Sequence, residues 1–342
     1  MASTLTWTES TGPTQTAATL AGFFADLDTM ITANASNSAF NWKVGQYQNS
    51  NPYYITLVQK SNVPSGGNPA PVILIVGYTG APAGVNTDIF DSGATITANS
   101  VHIIYFPSAT TSTPSNLSSA SGTVMGSDTN CVKACTSGAI ASTFYAATYQ
   151  LWYMDSADGI YLFSQTPNAT AYQALGAGLL LVDYSGNAYA ATCGIYDGSS
   201  DVTLLSNWKE WSSTFTGAGN ELPSAAIYRT NYGTADSLFF LAFGVSTALT
   251  PWLNQTNGAA ADILVNLATS TVYFAPIMLL GQTKGQGVVL KIRQIAMGPQ
   301  TPTASVAFYG YYGTGNVLQA FAMSNNNASA TSLFPWAVNF QV

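Results

Sequence analysis

The chain has 342 residues, enough to bury one large hydrophobic core or two moderate ones. Charged residues make up only 7% of the sequence, against about 25% in a typical soluble domain. The net charge of −7 argues against nucleic-acid binding, which uses a basic stripe, and the apolar runs are too short to cross a bilayer. Because the surface has so few charges to repel other molecules, we expect much of it to be covered by other subunits or to face a harsh exterior medium.

The N-terminal segment Met1–Thr16 is polar and contains Glu9 but no basic residue. A secretory signal peptide would instead begin with a basic region and continue into an apolar one. We therefore expect no export, and folding in the cytoplasm where the chain is made.

One amphipathic helix is predicted from about Thr16 to Asn34, because apolar residues recur there at three- and four-residue spacing. Thr14 or Thr16 is placed to cap its start, and Asp26 and Asp28 fall off the apolar stripe. We interpret the stripe as a core face. It contains Leu20, Phe23, Phe24, Leu27, Met30 and Ile31.

Three β-strands are predicted after the helix. Tyr53–Lys60 alternates between two faces, and Val72–Tyr78 is a continuous apolar run typical of a strand covered on both faces. His102–Phe106 is the third strand, and Pro107 is expected to end it. In the first strand, one face carries Tyr53, Ile55 and Leu57, and the other carries Thr56, Val58 and Lys60.

A stretch rich in Ser, Thr, Pro and Gly divides the chain between residues 108 and 130. We predict that residues 1–107 hold the helix and the first strands, that residues 108–130 form a linker or a long loop, and that residues 131–342 form a β-rich domain. The two β units can also belong to one continuous fold.

The second half is predicted to be almost entirely β. Two hairpins stand out, Tyr149–Met154 with Ile160–Ser164 and Leu179–Tyr184 with Ala188–Cys193. The overall expectation is a mainly β (α+β) fold, an antiparallel β-sandwich or jelly-roll-like arrangement with one N-terminal helix. The remaining strand candidates are Leu238–Phe243, Val272–Leu279, Val288–Ile295, Ser305–Tyr311 and Val317–Met323.

Residues suited to catalysis are few, and we predict no enzyme activity, no cofactor and no metal site. His102 is the one histidine, and no acidic residue lies near it in the sequence. Cys131 and Cys135 are at helical spacing, but a closed zinc site needs four N or S ligands. Gly281–Gly287 lacks the Gly-Lys-Ser/Thr ending of a phosphate loop, so we interpret it as a turn between strands.

Close pairs of Asp residues are the other candidates. Each pair lies in a loop containing Gly or Ser, where Asp favours turns. Two alternatives stay open: glycoside hydrolysis by one pair, and calcium binding by Asp155–Asp158 or Asp197–Asp201. The pairs are Asp88 with Asp91, Asp155 with Asp158, and Asp197 with Asp201.

Basic residues cluster in one short region, which makes Lys284, Lys291 and Arg293 the candidate interface residues. Lys291 and Arg293 share one face of a predicted strand, where they can meet a carboxylate or carbonyl edge on a partner. The alternative is an edge strand that its charges protect from unwanted pairing.

Two closing segments stand out, Phe274–Gly298 (FAPIMLLGQTKGQGVVLKIRQIAMG) and Phe334–Phe340 (FPWAVNF), in a chain with few charges and many Ser, Thr, Ala, Gly and Asn residues. In these segments and this composition the chain resembles tailed-bacteriophage virion structural proteins. The resemblance implies assembly into a particle with other copies of the chain and other virion proteins. It implies no catalytic residue, and it leaves tail, baseplate, neck and capsid exterior open.

Two other functions remain as alternatives to a structural virion protein. A receptor- or glycan-binding protein would stack sugars on exposed aromatic rings, with Trp208 and Trp211 as the main candidates and Trp152 and Tyr153 as further ones. A polysaccharide-degrading enzyme would use one of the Asp pairs. We expect the chain to bind neither nucleic acid nor membrane, and a host surface glycan is the one further partner considered.

Overall fold

The chain forms antiparallel β-strands and one α-helix in a computed structural model that describes residues 8–11, 19–80, 82, 84, 86–90, 96, 100–132, 150–165, 172–182, 188–197, 224–230, 237–241, 273–281, 287–296, 307–312, 316–323 and 336–339. The predicted mainly β class with one helix is therefore confirmed for these residues. In chain order the elements are β1 (Thr8–Thr11), α1 (Leu20–Ala33), β2 (Trp42–Gln48), β3 (Tyr53–Gln59), β4 (Ala70–Tyr78), β5 (Ser100–Ala109), β6 (Gln150–Asp155), β7 (Gly159–Gln165), β8 (Tyr172–Val182), β9 (Ala188–Asp197), β10 (Ser224–Thr230), β11 (Ser237–Leu241), β12 (Tyr273–Gly281), β13 (Gly287–Ala296), β14 (Ala307–Tyr312), β15 (Asn316–Met323) and β16 (Trp336–Asn339).

Helix α1 begins later than its apolar pattern predicts. Its N-cap is Thr19, whose side-chain oxygen accepts a hydrogen bond from the Gly22 amide at 3.0 Å, so the expected caps Thr14 and Thr16 are wrong. The six stripe residues are all buried, as predicted. Asp26, which falls off the stripe, is buried as well. Helix α1 contacts β6 in addition to β2 and β3. In the described part of the chain, no helix has the length and apolar character needed to span a membrane.

Strands β2 to β5 form a four-stranded antiparallel meander in which each strand pairs with the next. Strand β4 is covered on both faces, as its apolar run predicts. Ile73 and Ile75 point into one core, whereas Leu74 and Val76 point into another. The predicted alternation of β3 is confirmed in the same way, with Ile55 in the first core and Val58 in the second.

Pro107 does not end β5, which continues to Ala109. The pairing with β4 shifts at this point, from Val72 opposite Phe106 to Ala70 opposite Ala109. Pro107 thus lies in a β-bulge, where a residue without an amide proton is tolerated. The expectation that Pro107 ends the strand is therefore wrong. A bulge depends on how two strands pair, so the sequence of one strand does not reveal it.

The other strands form a twelve-stranded sheet in the order β1-β6-β7-β8-β9-β10-β11-β12-β13-β16-β15-β14, with a further pairing of β8 with β13. The predicted hairpins β6–β7 and β8–β9 are both present. Strands β12 and β13 are also antiparallel neighbours, which agrees with a turn at Gly281–Gly287. Strands β1, β2, β10 and β16 had no expected counterpart.

The first core lies on one face of the four-stranded sheet, where α1 and strands β6 to β9 cover it. Helix α1 contacts β2 and β3, and β5 contacts β8 and β9. Buried side chains of this core therefore come from both sides of the 108–130 stretch. Those contributed by β6 to β9 are Leu151, Tyr153, Ile160, Leu162, Leu175, Ala177 and Ala190.

The second core lies on the opposite face of the same sheet. It is covered by residues 110–130, here called the loop layer, together with Ile89, Phe90, Ile96 and Cys131. The loop layer contributes Leu117, Val124 and Met125 to this core. The Ser- and Thr-rich stretch is thus packed along the sheet.

The turn between β3 and β4 is exposed to solvent. Residues 65–69 are exposed. A Cβ atom added to Gly66 or Gly67 would meet nothing within 4 Å beyond its chain neighbours.

Candidate functional site

The predicted interface residues Lys291 and Arg293 both lie on β13, an interior strand of the large sheet. Arg293 is paired with Pro276 of β12 on one side and with Asn339 of β16 on the other. The alternative that charges protect an edge strand is therefore wrong, because both backbone edges of β13 are occupied. The contact of Lys291 and Arg293 with a partner remains a prediction.

Most of the other predicted site residues cannot be placed relative to one another, because they fall outside the described ranges. Lys284, Trp208 and Trp211 lie outside the described residues. Tyr153 is fully buried and donates a hydrogen bond to Asp155, so the expectation that it could stack on a sugar is wrong.

His102 lies inside the second core and is 0% exposed. The rings of Tyr78 and Phe90 meet the imidazole edge-to-face, with centroid distances of 6.1 and 5.2 Å. Burial lowers the pKa of His102 to about 3, so the ring is neutral at physiological pH. A substrate cannot reach this imidazole, and its contacts are those of a structural residue.

The Asp155 carboxylate is the most heavily bonded side chain in the described region. Its Oδ1 accepts hydrogen bonds from the backbone N–H of Asn41 at 2.7 Å and from Asn41 Nδ2 at 2.9 Å. Its Oδ2 accepts from the backbone N–H of Trp42 at 2.8 Å and from the Tyr153 hydroxyl at 2.9 Å. Asp155 thus joins the start of β2 to the end of β6, and Trp42 Nε1 adds a bond to the Ser156 carbonyl at 2.8 Å.

Burial raises the pKa of Asp155, and the hydrogen bonds from Asn41, Trp42 and Tyr153 oppose that increase. Because both oxygens are already bonded to donors, Asp155 is unsuited to act with Asp158 on a calcium ion or a glycoside. Within the described ranges, no group of three or more His, Cys, Asp or Glu residues could hold a metal ion. Asp91 and Asp201 lie outside those ranges.

Two further carboxylates bind the backbone of the loop layer, one from the segment before it and one from within the layer. Asp88 Oδ2 accepts a hydrogen bond from the Gly122 amide at 2.8 Å. Asp128 accepts from the Val124 amide at 2.7 Å and from the Met125 amide at 2.9 Å. These charges act as internal braces of a loop.

Lys60 is used in the same way at the C-terminal end of α1. Its Nζ donates to the Asn34 carbonyl at 3.2 Å and to the Asn37 carbonyl at 2.7 Å. A cation at this position satisfies carbonyls that have no partner within the helix and interacts favourably with the helix dipole. Lys60, the residue that follows β3, thus complements the helix end from outside the helix.

The outer surface of the loop layer is nearly free of charge. Asp128 is its one charged residue, and both of its carboxylate oxygens accept backbone hydrogen bonds. The side chains that face solvent are hydroxyls, amides and methyl groups. The exposed residues are Thr113, Ser115, Asn116, Ser118, Ser119, Ala120, Ser121, Thr123, Gly126, Thr129 and Asn130.

The loop layer and the Asp155 contacts were missed from the sequence. The signal for the layer was three apolar residues, Leu117, Val124 and Met125, within a polar stretch. Asp155 offered no comparable signal, because Asn41 and Trp42 lie more than a hundred residues away in the chain.

Comparison of the chain with protein-family models, with characterised proteins and with solved structures gave no match. The function is therefore argued from the residues and contacts described above.

Proposed function

We propose that the chain is a non-enzymatic structural protein of a virus particle, as its resemblance to tailed-phage proteins implies. It assembles with other copies of itself and with other virion proteins through neutral, β-rich surfaces. The observation that supports the proposal is that charged side chains are engaged within the fold. Asp88, Asp128, Asp155 and Lys60 bind the chain's own backbone. These groups are engaged internally, in a sequence that contains only 7% charged residues.

A neutral surface favours assembly for a physical reason. Interface cores are depleted of charged residues, because an ion that loses its water must be paired to recover the cost. Hydroxyl and amide groups lose less on dehydration and can form hydrogen bonds with a neighbour. We therefore expect contacts on the order of 2,000 Å² or more, as in obligate assemblies.

We further propose a sandwich-like arrangement in which the four-stranded sheet packs face to face with β6 to β9. The shared first core supports this arrangement, since Ile73 and Val101 of one sheet lie in the same cluster as Leu162 and Leu175 of the other.

The first experiment is sedimentation velocity on the recombinant full-length chain, from low to high micromolar concentration. Association that increases with concentration is expected. A chain that remains monomeric throughout would count against the proposal. Mass spectrometry of purified virus particles then tests the setting, and it should find the chain in a fixed number of copies.

The glycan-binding alternative gives a different result. It predicts saturable binding to a host polysaccharide that is lost in Trp208→Ala or Trp211→Ala. We expect no such binding across a broad glycan panel. Release of reducing ends from the same polysaccharides would instead identify an enzyme.

A further inference from the structure

Hydrogen bonds from three side chains hold the loop layer, two from the four-stranded sheet and one from the segment between β4 and β5. Thr56 Oγ1 donates to the Ser112 carbonyl at 2.8 Å, and the Tyr78 hydroxyl donates to the Leu117 carbonyl at 2.9 Å. The buried Asn86 amide donates to the carbonyls of Asn116 and Gly122, at 2.9 and 3.0 Å. These bonds, added to the braces from Asp88 and Asp128, fix the layer along most of its length.

A surface that is already ordered loses little conformational entropy when it binds a partner. Surface loops are usually the mobile part of a fold, and twenty-one consecutive residues without a helix or strand are unusual in a compact domain unless they serve a purpose. Covering the second core needs only the buried side chains Leu117, Val124 and Met125. The exposed residues of the layer remain free for another role.

We infer that the outer surface of the loop layer is a contact surface for a second copy of this chain. The inference rests on the proposed function and names the partner of one surface. It follows first from charge, because the layer contains no cation and both oxygens of its one carboxylate, Asp128, accept backbone hydrogen bonds, so residues 110–130 offer little to a charged partner. The chain itself, with 7% charged residues, supplies a partner surface that is equally neutral.

The size of the layer is also suitable. A standard interface uses on the order of 20 residues on each side. The layer has twenty-one residues, of which Leu117, Val124 and Met125 are buried, and the exposed Thr87 and Asp88 adjoin it. A glycan fits less well, because residues 110–130 include no aromatic ring on which a sugar could stack.

The test places charge at the centre of the layer in the full-length chain. The variant carries Ser118→Lys and Ser121→Lys, two exposed positions. A matched control carries Thr29→Lys and Thr32→Lys, which are exposed on α1 at the same spacing and on the opposite side of the sheet. A conservative variant carries Ser118→Thr and Ser121→Thr.

Sedimentation equilibrium gives the concentration at half-association, and circular dichroism with thermal melting confirms that each variant is folded. We expect the layer variant to raise that concentration about 100-fold, because like charges would be buried between copies. The helix control and the conservative variant should stay within about threefold of the parent chain, as expected for surface changes outside an interface.

Each of the remaining results would contradict either the inference or the proposed function. If the parent chain associates and the layer variant associates equally well, the inference is wrong and the proposed function stands. If the parent chain is monomeric, the self-association on which both depend is absent. If the parent chain binds a neutral polysaccharide and only the layer variant loses that binding, the layer serves a glycan, and the inference is overturned.

Discussion

At the scale of single residues, four charged side chains stabilise the fold by binding backbone groups: Asp88, Asp128, Asp155 and Lys60. Asp155 shows this most clearly, because four donors from Asn41, Trp42 and Tyr153 converge on its two oxygens. An amide at this position would direct an NH₂ group at donors that need an acceptor.

We therefore expect Asp155→Asn to lower the free energy of unfolding by about 2 kcal/mol, the cost of buried groups left without partners. Urea denaturation followed by circular dichroism measures the change. Asp28→Asn makes the same chemical substitution on the half-buried surface of α1 and should stay within about 0.5 kcal/mol. Equal effects of the two substitutions would contradict the role given to Asp155.

The raised pKa of Asp155 also predicts the sign of a pH effect. The folded chain binds the proton more tightly than the unfolded chain, whose carboxyl has a pKa of about 3.9. The stabilisation that comes from this tighter proton binding is complete below the pKa of the unfolded chain. It is lost as pH rises through the pKa of the folded chain. The difference in Tm between the parent chain and Asp155→Asn should therefore become smaller as pH rises across that window. A difference that grows with pH would show that the pKa is lowered.

At the scale of elements, helix α1 packs closely against β4 at a glycine. A Cβ atom on Gly77 would lie 2.8 Å from Phe24 Cε2 and 3.0 Å from both methyl carbons of Leu20. The absence of a side chain at Gly77 thus sets the distance between helix and sheet.

Gly77→Ala should push α1 away from the sheet and lower the free energy of unfolding by about 1–3 kcal/mol, as overpacking of a core does. Thermal and urea denaturation measure the loss. Gly67→Ala is the matched control, because a Cβ atom there meets open space. A loss of similar size in the control would attribute the effect to the backbone and leave the packing argument without support.

The elements that could be predicted are those whose signal is local. The alternation of β3, the apolar run of β4 and the hairpin of β6 with β7 depend on neighbouring residues, and each was found. Strand β2 (Trp42–Gln48) contains Gly45 at a bulge and three polar residues, so it has no clear period of two. The position of Pro107 depends on the partner strand, which a local pattern does not contain.

At the scale of the whole molecule, the cores join residues that are far apart in sequence. The first core contains Leu27 and Ile75 from before the 108–130 stretch and Leu162 and Ala190 from after it. The second core needs the stretch itself as a cover. The candidate site was not predictable for the same reason, since the loop layer becomes a surface only once it is folded onto the sheet.

A fragment of residues 1–107 should consequently fail to fold alone, because its sheet would lose β6 to β9 from one face and the loop layer from the other. Expression of this fragment should give insoluble protein or protein without a cooperative thermal transition.

Limited proteolysis of the full-length chain should spare the loop layer, since its backbone is bonded to Thr56, Tyr78 and Asn86. Rapid cleavage within residues 110–130 would contradict the packing described for this segment.

Association through the loop layer should depend little on salt. Screening weakens contacts between exposed charges, and the layer has almost none. The concentration at half-association should therefore change by less than about threefold between low and high ionic strength. A much larger weakening would point to Lys291 and Arg293 as the contact, because those residues would bind a carboxylate.

The solvent exposure of the turn between β3 and β4 has a practical consequence. Gly66 and Gly67 border open space, and the strands on either side are anchored in two cores. A short peptide epitope inserted between these glycines would extend outward without displacing a packed side chain. An antibody fragment bound to that epitope would mark each copy in electron micrographs of a particle, and so reveal both the position and the number of the copies.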